Sequence, residues 1–141
     1  MSDFELEGLH IPGVTDAGSG TADDPYTVMY IINNPEPQEN VWIDGYIVGF
    51  VQGASFDTGA TFGPYKEGDD YAGANIIIGE AKSTAATSAS IPVLLSGSFR
   101  TEYRLNRNPE KLGVHVRILC NVGEVLGTYG ISSISQIEEI E

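Results

Sequence analysis

The chain is short of positive charge, of cysteine and of long apolar runs, and each shortage closes off a class of protein. Seven Lys and Arg face twenty Asp and Glu, a formal net charge of −13. Nucleic-acid affinity without sequence preference comes mainly from neutralising phosphates, so a molecule this acidic repels DNA and RNA except through a local basic patch. A single cysteine, Cys120, rules out an intramolecular disulfide. It sits in the run VHVRILCNV and reads as a small buried hydrophobe, since a reactive thiol needs an exposed, cationic setting. No stretch approaches the roughly 18 apolar residues that span a bilayer as a helix, so no transmembrane segment is expected. No signal peptide is visible; Met1-Ser2 leads into an acidic segment, and the expectation is a leader that this sequence does not include. GxSxG, HExxH, a phosphate-binding glycine loop and paired cysteines are all missing. The expectation is therefore a protein with no catalytic residues, no cofactor and no metal.

What is present suits one domain. The 141 residues are 41% hydrophobic, enough to bury a core, and 17 glycines with 7 prolines favour turns and short strands over long helices. Residues 1–17 read as an extended N-terminal segment whose Phe4, Leu6, Leu9 and Ile11 could add an edge strand, and residues 18–141 read as the domain proper. In DDPYTVMYIINN, Asp24 before Pro25 predicts an N-cap and a first helical residue, with Val28, Ile31 and Ile32 forming the apolar stripe.

Strand signals follow. VWIDGYIVGFVQ (41–52) alternates, with Val41, Ile43, Ile47 and Val51 on one face and Trp42, Tyr46, Val48 and Phe50 on the other. Both faces are apolar, and the helix over 25–34 is the natural cover for the aromatic one. Gly45 and Gly49 predict coiling or a bulge. ANIIIGE (74–80), SIPVLL (90–95), VHVRILCNVGEVLG (114–127) and a last strand centred on Ile131, Ile134 and Ile137 complete a set of five. FRTEYRLNRNPEKLG (99–113) predicts a second helix, with Phe99 and Tyr103 as i, i+4 partners and Pro109 as its breaker. A helix between the third and fourth of five strands is the OB-fold arrangement. The fold class expected is all-β with two short helices, a five-stranded OB-fold-like barrel; a plain β-sandwich would not require that helix.

GSGTADDPYTV, VWIDGYIVGFV, NIIIGE, IPVLL and LNRNPEKLGVHVRILCNVGEVLGTYGI, in that order, resemble the DUF6359 family over about residues 18–140. The resemblance implies an OB-fold-like domain of Bacteroidetes, carried by secreted proteins or surface lipoproteins, some beside extracellular nuclease modules. It implies no catalytic set. Asp44 stands where the family's first strand often has Lys, and the glycine-rich insertion at 53–73 is longer than usual; both weigh against carrying over nucleic-acid binding.

Two sets of residues are candidates for ligand binding. The connection 53–73 carries Phe56, Phe62, Tyr65 and Tyr71, rings able to stack on a base or sugar, or to fold back over the barrel as a lid. Arg100, Arg104 and Arg107, with Lys111, recur at helical spacing and could meet an anion, or simply be a solvated face balanced by Glu102 and Glu110. Glu67, Asp69 and Asp70 lack the regular calcium-loop spacing, and His10 and His115 lack partners at zinc-ligand spacing. His115 alternates with core positions and should face outward.

The functional expectation is a non-catalytic binding or accessory domain of a bacterial secreted or cell-surface protein, with a protein or glycan as its unknown partner. The alternatives are single-stranded nucleic-acid or oligosaccharide binding through the OB face, and a nuclease-associated hydrolase.

Overall fold

The structure is a computed structural model that describes residues 18–140. The expected N-terminal edge strand and His10 lie outside the described residues. Residues 18–24 form a tight turn in which the Asp24 carbonyl accepts from the amides of Ser19, Gly20 and Thr21. The chain then enters β1 (Tyr26–Thr27), which runs parallel to the next strand, pairing Tyr26 with Ile43 and Thr27 with Asp44. That pairing displaces the expected helix start. Helix α1 (Val28–Asn33) is capped by the Thr27 hydroxyl, which accepts from the Tyr30 amide at 3.0 Å, and not by Asp24.

Five strands make the barrel: β2 (Gln38–Val51), β4 (Asn75–Gly79), β5 (Ser90–Leu94), β6 (His115–Val125) and β7 (Thr128–Ile140). β3 (Ala60–Phe62) lies off it, paired to the end of β2. Around the barrel the order is β2-β4-β5-β7-β6, and β6 returns to β2. All these contacts are antiparallel except β5 with β7, which meet in parallel at Val93 and Ile131 and close the wall. Helix α3 (Gly97–Tyr103) joins the third and fourth barrel strands. The chain is thus the all-β, five-stranded, OB-fold-like barrel that its strand signals predict.

Alternation places Val116, Ile118, Cys120 and Val122 inside on β6, facing Ile43 and Ile47 of β2, and all are buried. Outward positions on β6, including His115 and Arg117, remain half-buried. Val28 and Ile31 of α1 join the same interior. A Cβ added at Gly45 would sit 3.1 Å from the Val28 side chain, so α1 packs on the inward face of β2 and closes one end of the barrel. It does not cover Trp42 and Tyr46, as the alternation had suggested.

The second difference lies in β2 itself. Going from Ile47 to Gly49 it advances two residues while β4 advances one, from Ile78 to Ile77. This β-bulge reverses the facing of everything beyond it. Phe50 therefore joins Ile43 and Ile47 in the interior, and Val51 turns outward to join Val48. The expected helix over 99–113 also stops early. It ends at Tyr103, with Arg104 already extended, and Pro109 opens a separate 3-10 turn, Pro109–Lys111.

Candidate functional site

The connection 53–73 carries most of the aromatic candidates, and the barrel absorbs it. A single helical turn, α2 (Phe56–Gly59), leads into β3, which pairs with Gly49, Phe50 and Val51. Gly49 permits this closeness: a Cβ there would stand 2.0 Å from the Thr61 carbonyl oxygen. Phe56, 3% exposed, packs on Val48, Val51 and Ile77, and Phe62 covers the same cluster. The outer face of β4 is thereby sealed. Phe56 is further fixed by its amide, which donates to the carbonyl of Leu126 in the β6–β7 turn.

Tyr71 lies in the interior, its ring 4.5 Å from that of Phe50, and Tyr65 leans on both rings. The Tyr71 hydroxyl donates to the Asn75 carbonyl and accepts from the Leu105 amide, and burial pushes its pKa up to about 12. Asn75 in turn bridges to β2, accepting from the Val51 amide at 2.8 Å and donating to the Val51 carbonyl at 3.3 Å. Of the four rings, the structure thus sets Phe56 and Tyr71 in packed interiors and leaves Phe62 and Tyr65 half-buried.

The arginines do not share a helical face, because α3 ends before Arg104. Arg100 donates to the carbonyls of Ala72 and Gly73 and clamps the end of the long connection. Arg104 lies against Gly73, and Arg107 is exposed. Lys111 reaches the Glu139 carboxylate, which also accepts from the Tyr103 hydroxyl at 2.9 Å. These two donors, Lys111 first, hold the Glu139 pKa below the ordinary carboxylate value. Burial and the bond to Glu139 push Tyr103 upward.

Asp69 accepts from the Lys66 amide within a turn, and the Asp70 amide donates to Gln52. Among the described residues no cluster of three or more His, Cys, Asp or Glu is placed to hold a metal. His115 does face outward, hydrogen-bonded to Asp44 across β2 and β6 and stacked on Tyr46 with ring centroids 4.4 Å apart. Cys120 is fully buried, and desolvation raises its pKa to about 12. Among the described residues no helix is long and apolar enough to cross a membrane.

An open groove of about 370 Å³ lies where β2 changes partners. The Ile47 amide and carbonyl bond Val114 and Gly113, and one residue later the Val48 carbonyl accepts from Gly63. The start of β6 and the end of β3 diverge from that point and leave a gap. Val48, Phe62 and Leu112 make its apolar walls, and the β4–β5 connection adds Lys82 and Thr84 at the rim. Gly113, at φ +88°, lets the Lys82 stem approach: a Cβ there would lie 3.1 Å from Lys82 Cε. Sequence reasoning missed Lys82, Thr84 and Leu112. The β4–β5 connection reads as a polar Ala/Ser/Thr turn, and nothing local shows that it folds toward Gly113.

A family model described as a domain of unknown function, DUF6359, matches residues 26–139. The chain belongs to the DUF6359 family. The match begins with β1 and ends within β7, so it takes in the closed barrel together with α3 and the sealed connection. No curated protein and no solved structure matches the chain. In this DUF6359 domain the face that OB-folds commonly present, the outside of their second and third strands, is occupied on β4 by α2 and β3. A groove beside that seal stays open.

Proposed function

We propose that this DUF6359 domain is a non-catalytic recognition module of a bacterial secreted or cell-surface protein, engaging a protein or glycan ligand. The groove at the β2 partner switch carries the reading. Its volume falls at the lower end of the roughly 300–1,000 Å³ typical of ligand sites. Its lining combines apolar side chains with one ammonium and one hydroxyl and holds no carboxylate or imidazole. Lys82 is its one titratable side chain, with no carboxylate or imidazole beside it to pass a proton on, and that composition suits holding a ligand. The secreted or surface setting is the one the resemblance in the residues of β2, β4 and β6 implies, and it is proposed on that ground alone.

Binding of single-stranded nucleic acid across the OB face fits less well. On β4 that face is covered by α2 and β3, and Arg100 is engaged with the carbonyls of Ala72 and Gly73. The test is an NMR titration of the labelled domain with a panel of short peptides and oligosaccharides. The reading expects saturable shifts at the amides of Val48, Phe62, Thr84 and Leu112, abolished when Ala85→Trp fills the groove. Saturable shifts elsewhere that survive Ala85→Trp, or turnover of any panel member, overturn it.

A further inference from the structure

The rim of the groove carries a cation in a molecule that has few. Lys82 is exposed and, among the described residues, has no carboxylate partner, whereas Lys111 is tied to Glu139. The overall charge of −13 does not cancel it. At physiological ionic strength fields decay over about 8 Å, so the potential in the groove is set by the nearest charge. Thr84 stands beside Lys82, its Oγ1 accepting from the Ala81 amide, which leaves the hydroxyl proton to donate. The groove's lining therefore offers two donors, Lys82 and Thr84, together with the apolar surfaces of Val48, Phe62 and Leu112.

We propose that the groove captures the C-terminal residue of a partner protein, with the free carboxylate on Lys82 and Thr84 and an apolar side chain against Val48, Phe62 and Leu112. This rests on the reading of the groove as a recognition surface and names the ligand end that it recognises. The occupant must be anionic at one point and apolar beside it. A chain ending in Leu, Ile or Phe has that make-up, and capture of a terminal carboxylate is an established mode of peptide recognition. A sugar, even an acidic one, brings many hydroxyls. Walls with two polar side chains would leave most of those desolvated and unpaired. The ammonium-to-carboxylate bond is charge-assisted and thus stronger than a neutral one.

The probes are acetyl-Gly-Ser-Ala-Leu with a free carboxylate, the same peptide amidated, and a galacturonic acid trimer, each titrated into the labelled domain. The free acid is expected to shift Val48, Phe62, Thr84 and Leu112 and to bind about tenfold tighter than the amide, a difference of roughly 1.4 kcal/mol. Lys82→Gln removes that preference with little effect on the amide, and Lys82→Arg retains it. Equal binding of acid and amide, a preference that survives Lys82→Gln, or tighter binding of the trimer overturns the C-terminal proposal. In those cases shifts at the groove still support a recognition surface. If no peptide or oligosaccharide perturbs the groove, the recognition reading fails as well.

Discussion

The inner core and the outer cluster meet along β2 and are held by unlike means. The inner one lies inside a wall closed on every side, and residues from all five barrel strands, α1 and α3 meet in it. The outer one consists of Val48, Val51, Phe56 and Ile77, roofed by a four-residue helix and a three-residue strand. A helix that short has no stability of its own, because nucleation costs more than its few hydrogen bonds return. The inner core is therefore the global folding unit, and the roof is a local one that can open by itself. Lids and binding edges are drawn from the second kind, and the groove borders it.

The strongest way to break this comparison is Phe50→Ala. It leaves a cavity in the closed interior and should cost about 4 kcal/mol in denaturant unfolding. It should also speed labelling of Cys120, whose thiol, with its pKa near 12, is otherwise inert at neutral pH. Phe56→Ala removes a ring of the same size from the outer cluster and should cost about 3 kcal/mol at most. Amide exchange should then rise most over residues 56–63, while Ile43, Ile118 and Cys120 change by no more than the global cost. A global loss equal to that of Phe50→Ala would merge the two regions into one.

Asn75→Ala tests the bond between the two regions. It strips the Val51 amide and carbonyl of their partners and should cost about 2 kcal/mol, read from the unfolding midpoint. The smallest effect is at the barrel's end. Glu139→Gln should cost less than about 1 kcal/mol, because the Lys111 pair is partly solvated. The Glu139 pKa is lowered in the fold, so its contribution is full above the unfolded carboxylate value of about 4.3. It fades as pH falls through the folded value. Unfolding curves of the two proteins should therefore converge in acid.

The inner core was legible and the outer cluster was not, for a physical reason. Alternation in VHVRILCNV reports which side chains point inward, because an 11-residue strand repeats one local rule. The barrel order followed from the helix between the third and fourth strands. What failed depends on contacts between distant segments. Pairing of Tyr26 and Thr27 with β2 moved the helix cap from Asp24 to Thr27. The bulge at Gly49 was expected from the glycine, but not that it would send Phe50 inward and Val51 outward. The four rings of the long connection supported either a binding loop or a lid, and only the approach of β3 to Gly49 shows the connection laid down as a roof. Lys82 carried no signal, since its place in the groove is decided by Gly113, a residue on a different connection.

One extra residue in β2 thus has a reach beyond local geometry. It assigns a single continuous strand to two tasks, the first stretch to the hidden interior and the last to the roof beside the groove. An insertion or deletion that alters the spacing along this strand would turn the interior inside out. Change at the groove that keeps the fold is therefore confined to substitutions and to the connections flanking β2, because the strand's divided allegiance fixes its length.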